Sequence, residues 1–328
     1  MKRRTFVWAG AICIALSTVW TYLAISQPGQ QDKIIAQMEK EGCALTESGV
    51  KVCQYDYTVN GSVVEAISFR PVGDGPFPGV LLIPGYERNA KNLVPLGIRL
   101  ASVSIAAIAV SQPGFGKSQG PPDFVGPKTL AVLTAGYRKL QQERYVDPNR
   151  MGIYGYSRGG MAASLLAVEL DDVKAAVFGA GIYDLQKFYD DSVLPGEREN
   201  VKAETGMTKE AFRQRSSILR MENLKCPVLI LHGEKDQNVP VSQALLLRDR
   251  LTRLHKDFEI KLFPGREHQI GPEAGELTVD FLQRKLKDKH SGDAPVKSNP
   301  QPSVVNPQPS QELSNSHHGK IENNVYLQ

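Results

Sequence analysis

The sequence predicts an α/β fold, and three observations lead to that prediction. Short apolar runs recur along the chain, segments with helical periodicity lie between them, and the composition is balanced as in a folded protein. Strands that are apolar on both faces are typical of a mostly parallel sheet, because βαβ crossovers cover both sides of each strand with helices. With 328 residues the chain is long enough for one large core or two modest ones.

A targeting segment is predicted at residues 1–26. Three basic residues at positions 2–4 precede a mostly apolar run at 6–25, and small residues at 24 and 26 fit the positions that a signal peptidase reads. The run is long for a cleaved signal and reaches the roughly 20 residues that an anchor needs to span a bilayer. We therefore expect a signal peptide or a signal anchor, with the rest of the chain exported to the periplasm, the cell exterior or the outer side of a membrane.

An N-terminal extension at residues 27–60 follows. The stretch DKIIAQMEKEG predicts a short helix, after which we expect irregular polar sequence around Cys43 and Cys53. In an oxidising compartment a disulfide between these two cysteines is possible, and two free thiols are the alternative. Cys226 precedes the apolar run PVLIL and is expected to be a buried structural thiol. No spacing of Cys and His residues indicates a zinc site.

The main domain is predicted at residues 61–287. Its apolar runs indicate strands at 63–70, 79–84, 104–110, 151–156, 175–181, 227–233 and 258–264. Helical patterns lie near 90–101, 128–145, 158–170, 241–255 and 272–287. Residues 182–225 interrupt this alternation with charged sequence, and we expect them to form a helical, lid-like insertion over the carboxyl edge of the sheet.

The tail at residues 288–328 is rich in Pro, Ser, Asn and Gln, and its composition predicts disorder. His317 and His318 in this tail could bind a metal loosely, but solvated side chains are the simpler interpretation. The net charge of +4 arises from 39 basic and 35 acidic residues without long runs of one sign in the central region, so it does not indicate a nucleic-acid partner.

A G-x-S-x-G motif lies in the stretch GIYGYSRGG, between a predicted strand and a predicted helix. In this context the serine, Ser157, is held in a sharp turn that raises its hydroxyl above the sheet edge, and the glycines leave room for close backbone contacts. The following helix directs its amino-terminal dipole at any anion that forms there. We interpret Ser157 as a nucleophile, with a purely structural turn as the alternative.

A serine nucleophile needs a base and an acid that orients the base. His268 lies in the loop PGREHQIG after a predicted strand, whereas His232 ends a strand as a structural residue and His255 ends a charged helix that faces solvent. Asp236 follows the strand PVLILHG, and Pro240 is expected to start the next helix. The order Ser157, Asp236, His268 is the chain order of α/β-hydrolases.

Three aspartates of the predicted insertion are rival candidates for the acid: Asp184, Asp190 and Asp191.

The predicted oxyanion hole uses two backbone amides, those of Arg158 after the nucleophile and of Tyr86 in the loop VLLIPGYERN. The Tyr86 hydroxyl could also reach the oxyanion or could simply line the pocket. The stretch SQPGFGKSQG contains GKS, but Ser111 replaces the first glycine of a phosphate loop and no helix follows cleanly, so we interpret it as a turn.

These stretches give the chain a clear family resemblance. The chain resembles the α/β-hydrolases, in particular prolyl oligopeptidase-type serine peptidases and dienelactone hydrolase-like esterases. The matching stretches span residues 79–270 and are LLIPGYERN, QPGFGKS, DPNRMGIYGYSRGGMAA, CPVLILHGEKDQNVP and GREHQIG. The resemblance implies an α/β-hydrolase fold and a Ser157, Asp236 and His268 triad that forms an acyl-enzyme, with water as second substrate and no cofactor.

The sequence departs from both groups. Pro84-Gly85-Tyr86 stands where the peptidases often carry a His-Gly-Gly type sequence, and the segment before the first strand is too short for their β-propeller. Dienelactone hydrolases use cysteine at the position of Ser157.

We therefore expect a serine hydrolase, either an esterase or a peptidase, that acts on a small-molecule or peptide acyl substrate. The alternatives are a thioesterase-like hydrolase that acts on acyl-CoA and a non-catalytic binding protein that kept the fold. Contact with a membrane is expected only through an uncleaved anchor.

Overall fold

A computed structural model describes residues 29–286 of the chain. The targeting segment predicted at residues 1–26 and the tail predicted at residues 288–328 lie outside this range. Within residues 29–286, no helix is both long enough and apolar enough to cross a bilayer.

The centre of the described region is a single sheet of nine strands in the order β1-β2-β3-β5-β4-β6-β7-β8-β9. The strands are Cys43–Leu45 (β1), Lys51–Val59 (β2), Ser62–Arg70 (β3), Phe77–Ile83 (β4), Ala106–Val110 (β5), Val146–Tyr156 (β6), Val173–Gly179 (β7), Val228–Gly233 (β8) and Phe258–Phe263 (β9). The strands from β4 to β9 form the parallel part of the sheet, in which each strand is parallel to the strands of this part that it pairs with. The pairs β1–β2, β2–β3 and β3–β5 are antiparallel.

Helices cover both faces of the sheet. They are Gln30–Glu41 (α1), Val94–Ser102 (α2), Pro127–Gln141 (α3), Arg158–Glu169 (α4), Leu185–Asp191 (α5), Pro195–Thr205 (α6), Lys209–Gln214 (α7), Ser242–Arg253 (α8) and Glu273–Leu286 (α9), with 3₁₀ turns at Ala90–Leu93 and Ser217–Asn223. Successive residues of a strand point to opposite faces, so Leu81 belongs to the core that includes residues of α3, α4 and α8, whereas Leu82 belongs to the core that includes residues of α1, α2 and α9. Both side chains are completely buried, as the continuous apolar strands predict.

The insertion between β7 and β8 consists of α5, α6, α7 and the second 3₁₀ turn, as the charged stretch at 182–225 predicts. Its helices begin at recognisable caps: the Asp184 side chain accepts a hydrogen bond from the Lys187 amide, and the Thr208 side chain accepts one from the Ala211 amide. Apolar residues of all three helices join the core on the α3/α4 face. The insertion is therefore packed onto the domain.

The structure differs from the sequence prediction in the N-terminal extension. The helix α1 is present, but the stretch after it is not irregular, because β1 and β2 extend the sheet and a disulfide joins Cys43 to Cys53 across them. Strand β2 has partly exposed residues along much of its length, so its sequence lacks the continuous apolar run that predicts the strands of the main domain. The helix expected to start at Pro240 begins two residues later, at Ser242.

Candidate active site

Ser157 occupies a sharp turn between the end of β6 and the start of α4. Its backbone has φ of 58° and ψ of −123°, a region that residues with a side chain rarely adopt. A Cβ atom on Gly155 would lie 1.9 Å from the carbonyl oxygen of Gly159, and one on Gly159 would lie 2.2 Å from that of Ile83. The glycines of the motif are therefore required because backbone packs directly against backbone around the serine.

The three residues predicted to act together lie in one hydrogen-bonded chain. His268 Nε2 is 3.0 Å from Ser157 Oγ, and His268 Nδ1 is 2.7 Å from Asp236 Oδ2. The His268 side chain is 17% exposed, whereas the Asp236 side chain is completely buried. With Nδ1–H donating to the carboxylate, Nε2 is free to accept the serine proton.

Asp236 is surrounded by hydrogen-bond donors. Its Oδ1 atom accepts bonds from the amides of Asn238 at 3.0 Å and Val239 at 2.9 Å. Burial alone would raise the pKa of Asp236, but hydrogen bonds from His232 and His268 outweigh it and bring the pKa to about 2. The carboxyl is therefore ionised at neutral pH and holds one tautomer of the histidine beside it.

His232, interpreted from the sequence as a structural residue, is completely buried next to this carboxylate. Its Nε2 atom is 2.8 Å from the carbonyl oxygen of Val239 and 3.4 Å from Asp236 Oδ2. Both partners are acceptors, so Nε2 carries the proton. The Nδ1 atom is buried and has no hydrogen-bond partner among the described residues.

The loop that carries His268 packs closely on the loop that carries Asp236. A Cβ atom on Gly233 would lie 2.2 Å from the carbonyl oxygen of Glu267, so only glycine permits this approach. The hydroxyl of Tyr156, the residue before Ser157, donates a hydrogen bond to the His268 carbonyl oxygen, and the two rings meet edge to face. Tyr156 thus contributes to the position of His268, a role that the motif alone does not indicate.

The loop after β4 lies beside Ser157. A Cβ atom on Gly85 would lie 3.3 Å from Ser157 Cβ, so the backbone that leads to Tyr86 passes directly by the serine. The Gln112 side-chain amide holds this loop by donating a hydrogen bond to the Pro84 carbonyl oxygen at 2.7 Å. The Tyr86 hydroxyl donates to Asn200 Oδ1 of α6 at 3.3 Å, which engages it with the insertion.

The Arg158 side chain, to which the sequence assigned no role, is 4% exposed and forms a buried ion pair. Its Nη1 atom donates to both carboxylate oxygens of Glu204 on α6, at 3.0 and 2.9 Å. The guanidinium carbon lies over two rings, 4.2 Å from the centre of Tyr86 and 4.3 Å from that of Phe124. The helical spacing of Glu197, Asn200 and Glu204 places all three on one face of α6.

Glu197 is the member of this face that lies towards His268 and Asp236. Burial raises the pKa of its carboxyl, while a hydrogen bond from Asn238 and the charges of Arg158 and His268 oppose the rise. The spacing within α6 was a signal available in the sequence, but nothing local indicated which helix face would meet the nucleophile.

The rival candidates have other partners. Asp184 caps α5, Asp190 accepts hydrogen bonds from Gln186, and Asp191 pairs with Lys187.

The remaining sequence features also have structural roles. His255 is exposed and lies between α8 and the start of β9, whereas His268 follows the end of β9. In the GKS turn, the buried carboxylate of Glu65 accepts hydrogen bonds from the Ser111 hydroxyl at 2.7 Å and the Lys117 amide at 3.2 Å. Cys226 is buried, and burial raises the pKa of its thiol to about 12. Across residues 29–286, no three His, Cys, Asp or Glu side chains are grouped so that they could hold a metal ion.

The site lies where the strand order of the sheet reverses. Strand β4 is flanked by β5 and β6, so the loops after β4 and β6 meet at the carboxyl edge. In open α/β sheets this crevice is where ligands bind.

Comparison with known proteins places the chain among hydrolases. The model of the prolyl oligopeptidase family matches residues 126–289, which is half of the chain. The uncharacterized peptidase YtmA of Bacillus subtilis is 28% identical over 258 residues, which cover 77% of this chain and 99% of YtmA. Dipeptidyl-peptidase 5 of Porphyromonas endodontalis is 29% identical over 173 residues, which cover 48% of this chain and 24% of that protein. The chain thus spans nearly all of one relative and about a quarter of the other.

Solved structures share the fold. A puromycin-hydrolyzing peptidase of Mycobacterium tuberculosis superposes with a TM-score of 0.64 at 23% identity, over 71% of this chain and 39% of that one. Acetyl xylan esterase 1 of Thermoanaerobacterium sp. superposes with a TM-score of 0.60 at 17% identity, over 80% of this chain and 95% of that one. The fold is the α/β-hydrolase fold, and the chain belongs to the prolyl oligopeptidase family of serine hydrolases.

Proposed function

We propose that this protein cleaves a carboxylic ester or amide bond through an acyl-enzyme formed on Ser157. The observation that carries the proposal is the hydrogen-bonded chain from Ser157 through His268 to the ionised Asp236. A serine hydroxyl is a weak nucleophile until a base removes its proton, and this arrangement supplies the base and the group that orients it.

In the first half of the reaction, His268 Nε2 takes the proton as Ser157 Oγ bonds to the substrate carbonyl carbon. The π electrons of the carbonyl move to its oxygen, which becomes the tetrahedral anion. The anion collapses, the bond to the leaving group breaks, and His268 returns the proton to that group. Asp236 stays ionised throughout and stabilises the imidazolium.

The oxyanion in this scheme is bound by the backbone amides of Arg158 and Tyr86. The Arg158 amide belongs to the first turn of α4, whose amides have no partner within the helix and whose dipole favours a negative charge. The Tyr86 amide follows Gly85, the residue whose backbone passes beside Ser157. Donors already in place before the reaction act most strongly on the transition state.

In the second half of the reaction, a water molecule replaces the leaving group. His268 removes a proton from this water as its oxygen attacks the acyl carbon, and the tetrahedral intermediate forms in the same amide hole. The bond to Ser157 Oγ then breaks, the serine regains its proton from His268, and the acid product leaves.

The substrate is proposed to be a small or exposed acyl compound, either a short ester or a peptide. The names of relatives such as YtmA and Dipeptidyl-peptidase 5 support a peptide amide as the substrate. The similarity in fold to acetyl xylan esterase 1, which covers 95% of that protein, supports an ester.

The test is labelling by a fluorophosphonate probe together with hydrolysis of p-nitrophenyl acetate and of a peptide p-nitroanilide. Ser157→Ala should abolish labelling, and both Ser157→Ala and His268→Ala should lower turnover by about 10⁴-fold or more. His255→Ala is the matched control, because it removes an exposed histidine and should leave turnover unchanged. An unmutated protein that is neither labelled nor hydrolytic would support the alternative of a binding protein.

We also propose that the protein is exported. The basic and apolar pattern of residues 2–25 and the disulfide between Cys43 and Cys53 support this proposal. Fractionation of cells that express the full chain tests it, with the amino terminus of the product identified by mass spectrometry. Recovery in the cytoplasm with both thiols reduced would contradict export.

A further inference from the structure

The buried ion pair between Arg158 and Glu204 is unusual among the charged pairs of this protein. The two side chains are only 4% and 9% exposed, and the carboxylate also accepts a hydrogen bond from the Phe124 amide at 2.7 Å. Burial of two charges is costly, and apolar replacements of such pairs often preserve or increase stability. A pair that is costly to bury is expected to hold a particular arrangement of the chain.

The pair connects three segments around the nucleophile. Tyr86 belongs to the loop after β4, Phe124 precedes α3, and Glu204 belongs to the insertion. The guanidinium contacts the faces of both rings and the carboxylate at once. Asn200, one turn before Glu204 on α6, accepts a hydrogen bond from the Tyr86 hydroxyl. The insertion therefore contacts Tyr86 directly through Asn200 and indirectly through Glu204 and Arg158.

We propose that the side chain of Arg158 is a positioning residue that completes the oxyanion hole when α6 is docked. The inference rests on the proposed function, since it concerns the amide of Tyr86 as an oxyanion donor. By stacking on the Tyr86 ring, the guanidinium holds that residue's backbone beside Ser157. Glu204 fixes the guanidinium, so the insertion contributes to the hole although it supplies none of its donors.

A planar guanidinium suits this position better than other cations. It lies over two rings and also donates two hydrogen bonds to one carboxylate, whereas a lysine ammonium is a compact charge without a flat face. Substrate does not reach a group that is 4% exposed, so loss of the side chain should affect kcat and leave KM within about threefold. Every substitution except proline keeps the Arg158 amide, which separates the role of the side chain from that of the backbone.

The experiment compares Arg158→Met with the double variant Arg158→Met/Glu204→Gln. The single variant leaves a buried carboxylate unpaired, whereas the double variant removes both charges and preserves folding. Arg215→Met is the matched control, because Arg215 is also a buried arginine but donates to the backbone carbonyl oxygens of Asp123, Phe124 and Ala211 rather than to Glu204.

Three quantities are measured on the full chain: the rate constant for fluorophosphonate labelling, kcat and KM for p-nitrophenyl acetate, and hydrogen exchange of residues 84–88 and 195–205. We expect both Arg158 variants to lose about 100-fold in labelling rate and in kcat, the effect of displacing an oxyanion donor. Exchange should rise in both segments. Arg215→Met should lose stability but keep the labelling rate within about threefold.

The outcomes separate this inference from the proposed function. If the unmutated protein is not labelled at all, the proposed function fails and the catalytic part of the inference fails with it. If the unmutated protein is labelled and the double variant is labelled at the same rate, the proposed function stands and the role of Arg158 is refuted. Recovery of labelling in the double variant as stability returns would likewise assign the pair to stability alone.

Discussion

The backbone at Ser157 provides a direct test of the strain in the nucleophile turn. With φ of 58° and ψ of −123°, the residue lies where a Cβ atom is unfavourable and where glycine is not penalised. We predict that Ser157→Gly is more stable than Ser157→Ala, although both variants lack the nucleophile. The usual order is the reverse, because glycine loses more conformational entropy on folding.

The magnitude follows from two opposing effects. A residue held in a sparsely populated region costs about 1–3 kcal/mol, and glycine avoids this cost. Glycine in turn loses about 0.5–1 kcal/mol more than alanine through entropy. The net advantage of Ser157→Gly over Ser157→Ala is therefore about 1 kcal/mol.

Ser164, in the interior of the same helix α4, provides the matched control for the comparison of glycine with alanine. It is buried in α4, where its hydroxyl bonds to the Met161 carbonyl oxygen and to Ser217, and its backbone is helical. Both Ser164→Gly and Ser164→Ala lose these bonds, and glycine should be less stable than alanine by about 1 kcal/mol. The order of glycine and alanine should thus reverse between the two positions.

The assay is urea unfolding followed by far-ultraviolet circular dichroism, with the four variants compared at equal m-values. If Ser157→Gly is no more stable than Ser157→Ala while the Ser164 pair shows the usual helical order, the reasoning fails. The turn would then present the hydroxyl without backbone strain.

Three further predictions follow from the structure. Gly159→Ala should lower the unfolding free energy by about 3 kcal/mol, because its Cβ atom would lie 2.2 Å from a backbone oxygen of β4, whereas Gly196→Ala, with open space around it, should not destabilise the protein in the same urea assay. Folding lowers the pKa of Asp236 from 3.8 to about 2, so its ionised form stabilises the fold by about 2 kcal/mol above about pH 4, and this contribution is lost as the pH falls through about 2. Asp236→Asn should remove this part of the pH dependence, and an unchanged acid unfolding curve would contradict it. The variant Cys43→Ser/Cys53→Ser should lose up to about 3 kcal/mol of unfolding free energy yet remain catalytically competent, which calorimetry and the ester assay check.

The residues of the hydrogen-bonded chain could be predicted because each has a local signature. Ser157 is marked by the glycines on either side of it, and Asp236 and His268 each follow an apolar run that ends at the same sheet edge. In a parallel sheet the loops after the strands all lie at one edge, so the alternation of strands and helices predicts that the three residues share that edge. Their direct contact also depends on the strand order, in which β7 separates β6 from β8.

The partners of Arg158 could not be predicted in this way. Glu204 is 46 residues away in the sequence, and the ring of Phe124 comes from a loop with no regular pattern. Such contacts depend on how an inserted segment docks, which is a property of the folded surface. The strand Lys51–Val59 could not be predicted for a related reason. Its partly exposed residues resemble loop sequence, and its pairing with β3 is seen only in the folded structure.

The dense packing of backbone around the nucleophile also bears on how this protein can change by mutation. At Gly155 and Gly159 a single methyl group collides with main chain, so almost every substitution there disrupts the turn. The exposed surface of α6 carries no such restriction, and Gly196 has free space on its open side. Mutation can therefore change the exposed side of the insertion while the turn around Ser157 stays the same, which makes that side of the insertion the part of the molecule where related proteins are expected to diverge.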